Sequence, residues 1–63
     1  MAFINDEKVD FNGTILELLE KEGYDKDKIV VLLNGEILKK DFWDEVFLKQ
    51  DDYLEVVTFV GGG

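Results

Sequence analysis

The chemistry open to this chain is set first by what it lacks. Cys, His, Ser and Arg are all absent, and Thr14 and Thr58 are the only aliphatic hydroxyls. That removes nucleophilic triads, imidazole bases and the usual zinc ligand sets. Carboxylates are plentiful, and Asp51-Asp52, or Asp41 with Asp44 and Glu45, are formal candidates for a paired acid and base. A chain of 63 residues has little interior in which to build a pocket that would move their pKa values apart. Asp25-Lys26-Asp27-Lys28 has neither the ligand spacing nor the glycine of a calcium loop. No side chain is assigned a catalytic or metal-binding role and no bound cofactor is expected, so the chain reads as a non-enzyme.

One reactive group remains, and it is not a side chain. The sequence closes on Phe59-Val60-Gly61-Gly62-Gly63. Without Cβ atoms, three glycines make a thread that passes where no side chain fits. Extended, they reach about 10 Å, enough to deliver the Gly63 carboxylate into another protein's active site. Ordering the thread costs roughly 3–6 kcal/mol. Each Leu, Val or Phe buried against a partner contributes roughly 1.5–3 kcal/mol, so a small apolar patch near the tail would offset that cost. The plainer reading of the glycines is an ordinary frayed end.

Elements able to position such a tail are legible along the chain. Residues 2–5 are extended and end in the turn dipeptide Asn5-Asp6, after which Lys8-Val9-Asp10-Phe11 alternates, predicting a β-hairpin. Thr14 with Glu17 three residues on is a capping box, and Ile15, Leu16, Leu18 and Leu19 line one face of a helix of about nine residues ended by Gly23. Ile29-Val30-Val31-Leu32-Leu33 reads as a buried strand, and Asn34-Gly35 as a two-residue hairpin loop leading to Glu36-Ile37-Leu38. Asp41 is placed to cap a helical turn through Phe42, Trp43 and Glu45, Val46-Phe47-Leu48 reads as a brief strand, and Tyr53 to Val60 is the last strand. With no Cys and no His to staple it, the fold must rest on packing, which a hydrophobic share of 46% permits.

Hairpin, helix, strand pair and final strand are satisfied by one helix across one face of a mixed sheet of four to five strands. That is an α+β, β-grasp architecture, expected over residues 1–60, with 61–63 as a flexible tail. A single helix covers a single face. Val30 and Leu32 then point away from it, as do Glu55, Val57 and Phe59, and Leu32, Val57 and Phe59 are the candidate docking patch.

The net charge of −8 argues against nucleic acid and anionic membrane surfaces, and it predicts an acidic rim around the patch that suits a basic protein partner. No stretch resembles a signal peptide or a membrane span, so a cytoplasmic chain, monomeric when free, is expected.

The chain resembles the ubiquitin-like sulfur carriers of the ThiS type. The resemblance is carried by Ile4-Asn5-Asp6-Glu7, Gly13-Thr14-Ile15 with Leu18-Leu19, Leu33-Asn34-Gly35-Glu36-Ile37, Trp43, Asp52 and the closing Gly62-Gly63. Asp51 and Asp6 depart from it, each standing where such carriers commonly have Gly. The resemblance implies that a ThiF-type enzyme, using ATP and Mg2+, adenylates Gly63. Sulfur from a donor such as a cysteine desulfurase then gives a thiocarboxylate, and thiazole synthase consumes it in making the thiazole of thiamine. Gly61 and Gly62 thread the tail in this scheme. Three other readings stay open: a molybdopterin-type (MoaD-like) carrier, a protein modifier, and a β-grasp interaction module with an incidental tail. The molybdopterin carriers often hold prolines before their Gly-Gly, whereas this chain has none.

Overall fold

The structure, a computed structural model, describes residues 1–59; the expectations placed on Val60, Gly61, Gly62 and Gly63 lie outside the described residues. Five strands and one helix follow the chain as β1 (Ala2–Ile4), β2 (Glu7–Val9), α1 (Ile15–Lys21), β3 (Ile29–Leu33), β4 (Glu36–Leu38) and β5 (Tyr53–Thr58). Short 3-10 turns occupy Lys26–Lys28 and Lys40–Phe42.

Both hairpins are closed by two-residue loops whose central residues have positive φ: Asn5 (48°) and Asp6 (71°), then Asn34 (52°) and Gly35 (88°). That backbone matches the twist of the strands it joins. Asn and Asp tolerate it better than most residues, so Asp6 serves without glycine. The strands assemble in the order β2-β1-β5-β3-β4. β5 pairs parallel with β1 and antiparallel with β3, so first and last strands lie side by side at the sheet's centre.

The helix forms where the capping box predicts it. Glu17 N–H donates to Thr14 Oγ1 at 3.1 Å, and Thr14 N–H donates to Glu17 Oε1 at 2.8 Å. The helix is shorter than expected, 7 residues. Its end is fixed by Gly23 at φ +82°, with Gly23 N–H donating to the Glu20 carbonyl and Tyr24 N–H to that of Leu19. This is the Schellman arrangement, which ends the helix at the glycine the sequence marks. Two N–H groups in the first turn, of Ile15 and Leu16, donate to the carbonyls of Val46 and Trp43 at 2.9 Å each. Residues 46–48 are consequently not a strand of the sheet. They cross the helix start, making one isolated bridge between Thr14 and Phe47, with Leu48 N–H donating to Gly13 O. The expected cap at Asp41 is displaced as well: the turn starts at Lys40 after Lys39, with no side-chain cap. The second strand stops at Val9, whose partner Ala2 is the first residue of β1, leaving Asp10 and Phe11 outside it.

The core lies between α1 and the sheet. Ile15, Leu18, Leu19 and Leu54 are fully buried, joined by Ala2, Ile4, Ile29, Val31, Trp43, Leu48 and Val56. Trp43 fills the end near β4, and its indole Nε1 donates to the Leu38 carbonyl at 2.8 Å. Among the described residues no buried side-chain polar atom lacks a partner.

Candidate functional site: the outer face of the sheet

With α1 packed on one face, alternation sends every second strand residue to the other. On β3 the pattern inward is Ile29 and Val31, and on β5 it is Leu54 and Val56. The outward residues align across the ladder: Val30 opposite Val57, Leu32 opposite Glu55 and, on the other side, Leu32 opposite Ile37. Of the predicted patch, Val57 (48% exposed) and Phe59 (42%) are open to solvent, while Leu32 is half-buried between its neighbours. Val30 (38%) and Ile37 (70%) extend the patch.

Ile37 was missed by the sequence reading, although its signal was present. A two-residue Asn34-Gly35 loop fixes Leu33 against Glu36, and so places Ile37 directly beside Leu32 on the outward side.

The far end of the same face holds an aromatic pair. Phe3 and Tyr53 are cross-strand neighbours with ring centroids 6.2 Å apart, and Lys8 sits opposite Phe3 on the edge strand. The Tyr53 hydroxyl donates to the Asp6 carboxylate, and this bond to a negative acceptor holds the phenol pKa above its ordinary value of 10.0. At the opposite end the chain leaves β5 toward the glycines. Phe59 is the last described residue, and its N–H donates to the Lys28 carbonyl at 3.0 Å, continuing the β3–β5 ladder one pair further. The candidate patch therefore reaches the root of the tail.

The expected acidic rim is not what the strands present. The outward charges are Lys8, Lys28 beside Phe59, and Lys39, which follows β4 with extended backbone (φ −67°, ψ 145°); Glu55, the Asp6 carboxylate and, just past β2, Asp10 oppose them. The acids gather instead on the wet side of α1 and in the loops. This distribution depends on strand register, which net charge does not reveal.

A hollow of about 100 Å³ lined by Met1, Val9, Asp10, Phe11, Leu48 and Lys49, among others, is well below the roughly 300–1,000 Å³ of ligand pockets. No group of three or more Asp or Glu is placed to hold a metal ion among the described residues. Among the same residues, no helix is long and apolar enough to cross a membrane.

One helix laid over a mixed five-stranded sheet, with β5 central and parallel to β1, defines the ubiquitin-like β-grasp class. The crystal structure of the thiamine biosynthesis protein ThiS from Geobacter metallireducens superposes with a TM-score of 0.78 at 30% identity, covering 98% of this chain and 97% of that one. The sulfur carrier protein ThiS of Bacillus subtilis is 41% identical over 81% of this chain and 77% of its own length. A thiazole synthase from Paramagnetospirillum magneticum is 39% identical over 95% of this chain, and another from Magnetococcus marinus is 40% identical over 81%. The chain spans only 19% and 16% of the lengths of those two synthases. The ThiS family model matches residues 1–63, and the chain belongs to the ThiS family.

Proposed function

We propose that this protein is a sulfur carrier for thiazole formation in thiamine biosynthesis, with the Gly63 carboxylate as its working group. The observation that carries the reading is the family match, which runs through the closing glycines as well as the folded domain. A carboxylate is a poor acyl donor because its oxygen leaves badly. Attack of the Gly63 carboxylate on the α-phosphorus of ATP expels pyrophosphate and makes an acyl-adenylate with AMP as a good leaving group. A persulfide sulfur then displaces AMP, and a thiol cleaves the acyl disulfide to leave the thiocarboxylate. ATP and Mg2+ belong to the activating enzyme, of the ThiF type, and the sulfur to a donor such as a cysteine desulfurase.

The carrier supplies no acid or base in this scheme, in keeping with its lack of Cys, His and Ser. It supplies a folded body, an apolar face at the root of the tail, and the thread Gly61-Gly62. The thiazole synthases that contain a segment similar to this chain support thiazole synthase as the sulfur acceptor.

Intact-mass measurement after incubation with ATP, Mg2+, a ThiF-type enzyme and a sulfur source tests this. A sulfur-for-oxygen gain confined to the Gly63 peptide is the expected result. No gain, with enzyme and donor active on another carrier, would overturn it. Deleting Gly63, or replacing Gly62 with Leu, should abolish adenylation while leaving the thermal transition unchanged. Normal adenylation of either variant would count against the threading role.

A further inference from the structure

The outer face lacks the acidic excess of the whole molecule, and two of its three lysines gather at one end. Overall the chain has 15 acids to 7 lysines. On this face the charged residues are Lys8, Lys28 and Lys39 against Glu55, Asp6 and, just past β2, Asp10, and the Asp6 carboxylate is already engaged by the Tyr53 hydroxyl.

Three of the other five lysines are engaged. Lys26 pairs with Glu20 at 3.0 Å, Lys40 pairs with Asp27, and Lys21 lies 5.5 Å from the centroid of the Phe11 ring. Lys28 and Lys39 are exposed and make no ion pair among the described residues. The acids nearest Lys28 in sequence are committed elsewhere: Asp27 to Lys40, and Asp25 to its own turn, where its Oδ1 accepts the Asp27 N–H at 3.1 Å.

Position adds to charge. Lys28 lies across from Phe59, and alternation puts Lys39 beside Val30, so the two lysines flank the Val30–Val57 pair at the end of β5. An apolar centre with two unpaired cations at its rim is complementary to an apolar surface bordered by carboxylates.

We propose that the outer face docks on a partner whose contact surface is apolar and rimmed by carboxylates, which meet Lys28 and Lys39 at the point where the tail departs. This rests on the reading that the face and tail engage an activating enzyme. It reverses the partner that net charge alone suggests. Attraction at contact acts within a Debye length of about 8 Å at physiological salt, so two well-placed lysines can decide docking against a repulsive whole.

The test compares Lys28→Glu, Lys39→Glu and the double variant with wild type, using binding to the ThiF-type enzyme by calorimetry. Lys49→Glu, exposed and off this face, controls for net charge. The double variant should bind about tenfold more weakly or worse, because each reversal sets like charges together. Lys49→Glu should change affinity by less than about threefold, as expected for a charge remote from the contact. At saturating carrier the double variant should still be converted to thiocarboxylate, since its reacting group is untouched. Unchanged affinity would overturn the proposal, and tighter binding would show the partner's rim to be basic. A dimer of wild type in sedimentation, dissolved by Val57→Asp, would overturn it by making a second copy the occupant. Wild type converted while the double variant binds normally fails this proposal alone. Wild type that is neither bound nor converted fails the sulfur-carrier reading and this proposal with it.

Discussion

Single residues hold the two ends of this domain under different conditions of pH. The Tyr53 phenol donates to Asp6, and that bond needs the phenolic proton. Its folded pKa lies above the unfolded value of 10.0, so the contribution is complete below that value and is lost as pH rises through the folded pKa. Asp27 has the opposite sense. The Lys40 ammonium bonded to it holds its pKa below 3.8, so that contribution is present above 3.8 and is lost as pH falls through the folded value. Both groups are exposed, and the effects should be small. In a Tyr24→Phe background, where one phenol remains, tyrosinate absorbance should titrate above 10.0. Asp6→Gly, which keeps the positive φ of 71°, should bring it back toward that value. Gly13 is a sharper dependence. A Cβ there would stand 2.6 Å from Glu17 Oε1 and 2.8 Å from the Phe11 ring, so Gly13→Ala must displace the carboxylate that closes the capping box. A loss of about 1–2 kcal/mol in urea unfolding is expected, and less when Glu17 is already Ala.

Among the elements, those specified by neighbours in sequence are the ones sequence reading recovers. Thr14, Glu17 and Gly23 mark both ends of α1, and the apolar residues between them name its buried face. Asn34-Gly35 does the same for the β3–β4 hairpin. The segment 42–48 defeated local reading because its partner is the helix start: Val46 and Trp43 offer backbone carbonyls to Ile15 and Leu16, a pairing no side-chain pattern encodes. The lysines of the outer face were hidden for a related reason, since only register places Lys28 beside Phe59. The Asn34 loop also does more than turn. Its side chain accepts from Tyr53 N–H at 2.9 Å and donates to Asp52 at 3.0 Å, tying the β3–β4 loop to the start of β5. Asn34→Ala should cost about 1–3 kcal/mol, from a strained φ and two lost bonds. Asn34→Gly, which relieves the strain alone, should recover part of that in thermal unfolding.

For the molecule as a whole, division of labour between the two faces is the main result. The face under α1 holds the core, and the outward face leaves Val30, Ile37, Val57 and Phe59 open in a line toward the tail. Val57 is half exposed and lies outside the core, so the thermal transition of Val57→Asp should stay within a few degrees of wild type while binding to the activating enzyme falls. A matched loss of both would mean that the outward face is structural.

The central position of β5 also governs when the protein comes into being. Strand β1 is made first and β5 last, yet they are neighbours, and β5 also carries β3 on its other edge. No shorter stretch of nascent chain can close the sheet, because every fragment lacking residues 53–58 leaves β1 and β3 unpaired at its middle. Folding must wait for synthesis to pass that strand, and loop closure over so long a separation slows it further. Whatever chemistry the residues after β5 carry therefore becomes available only on a domain able to fold. Release of a chain stalled at residue 52 should yield an unfolded, protease-sensitive peptide.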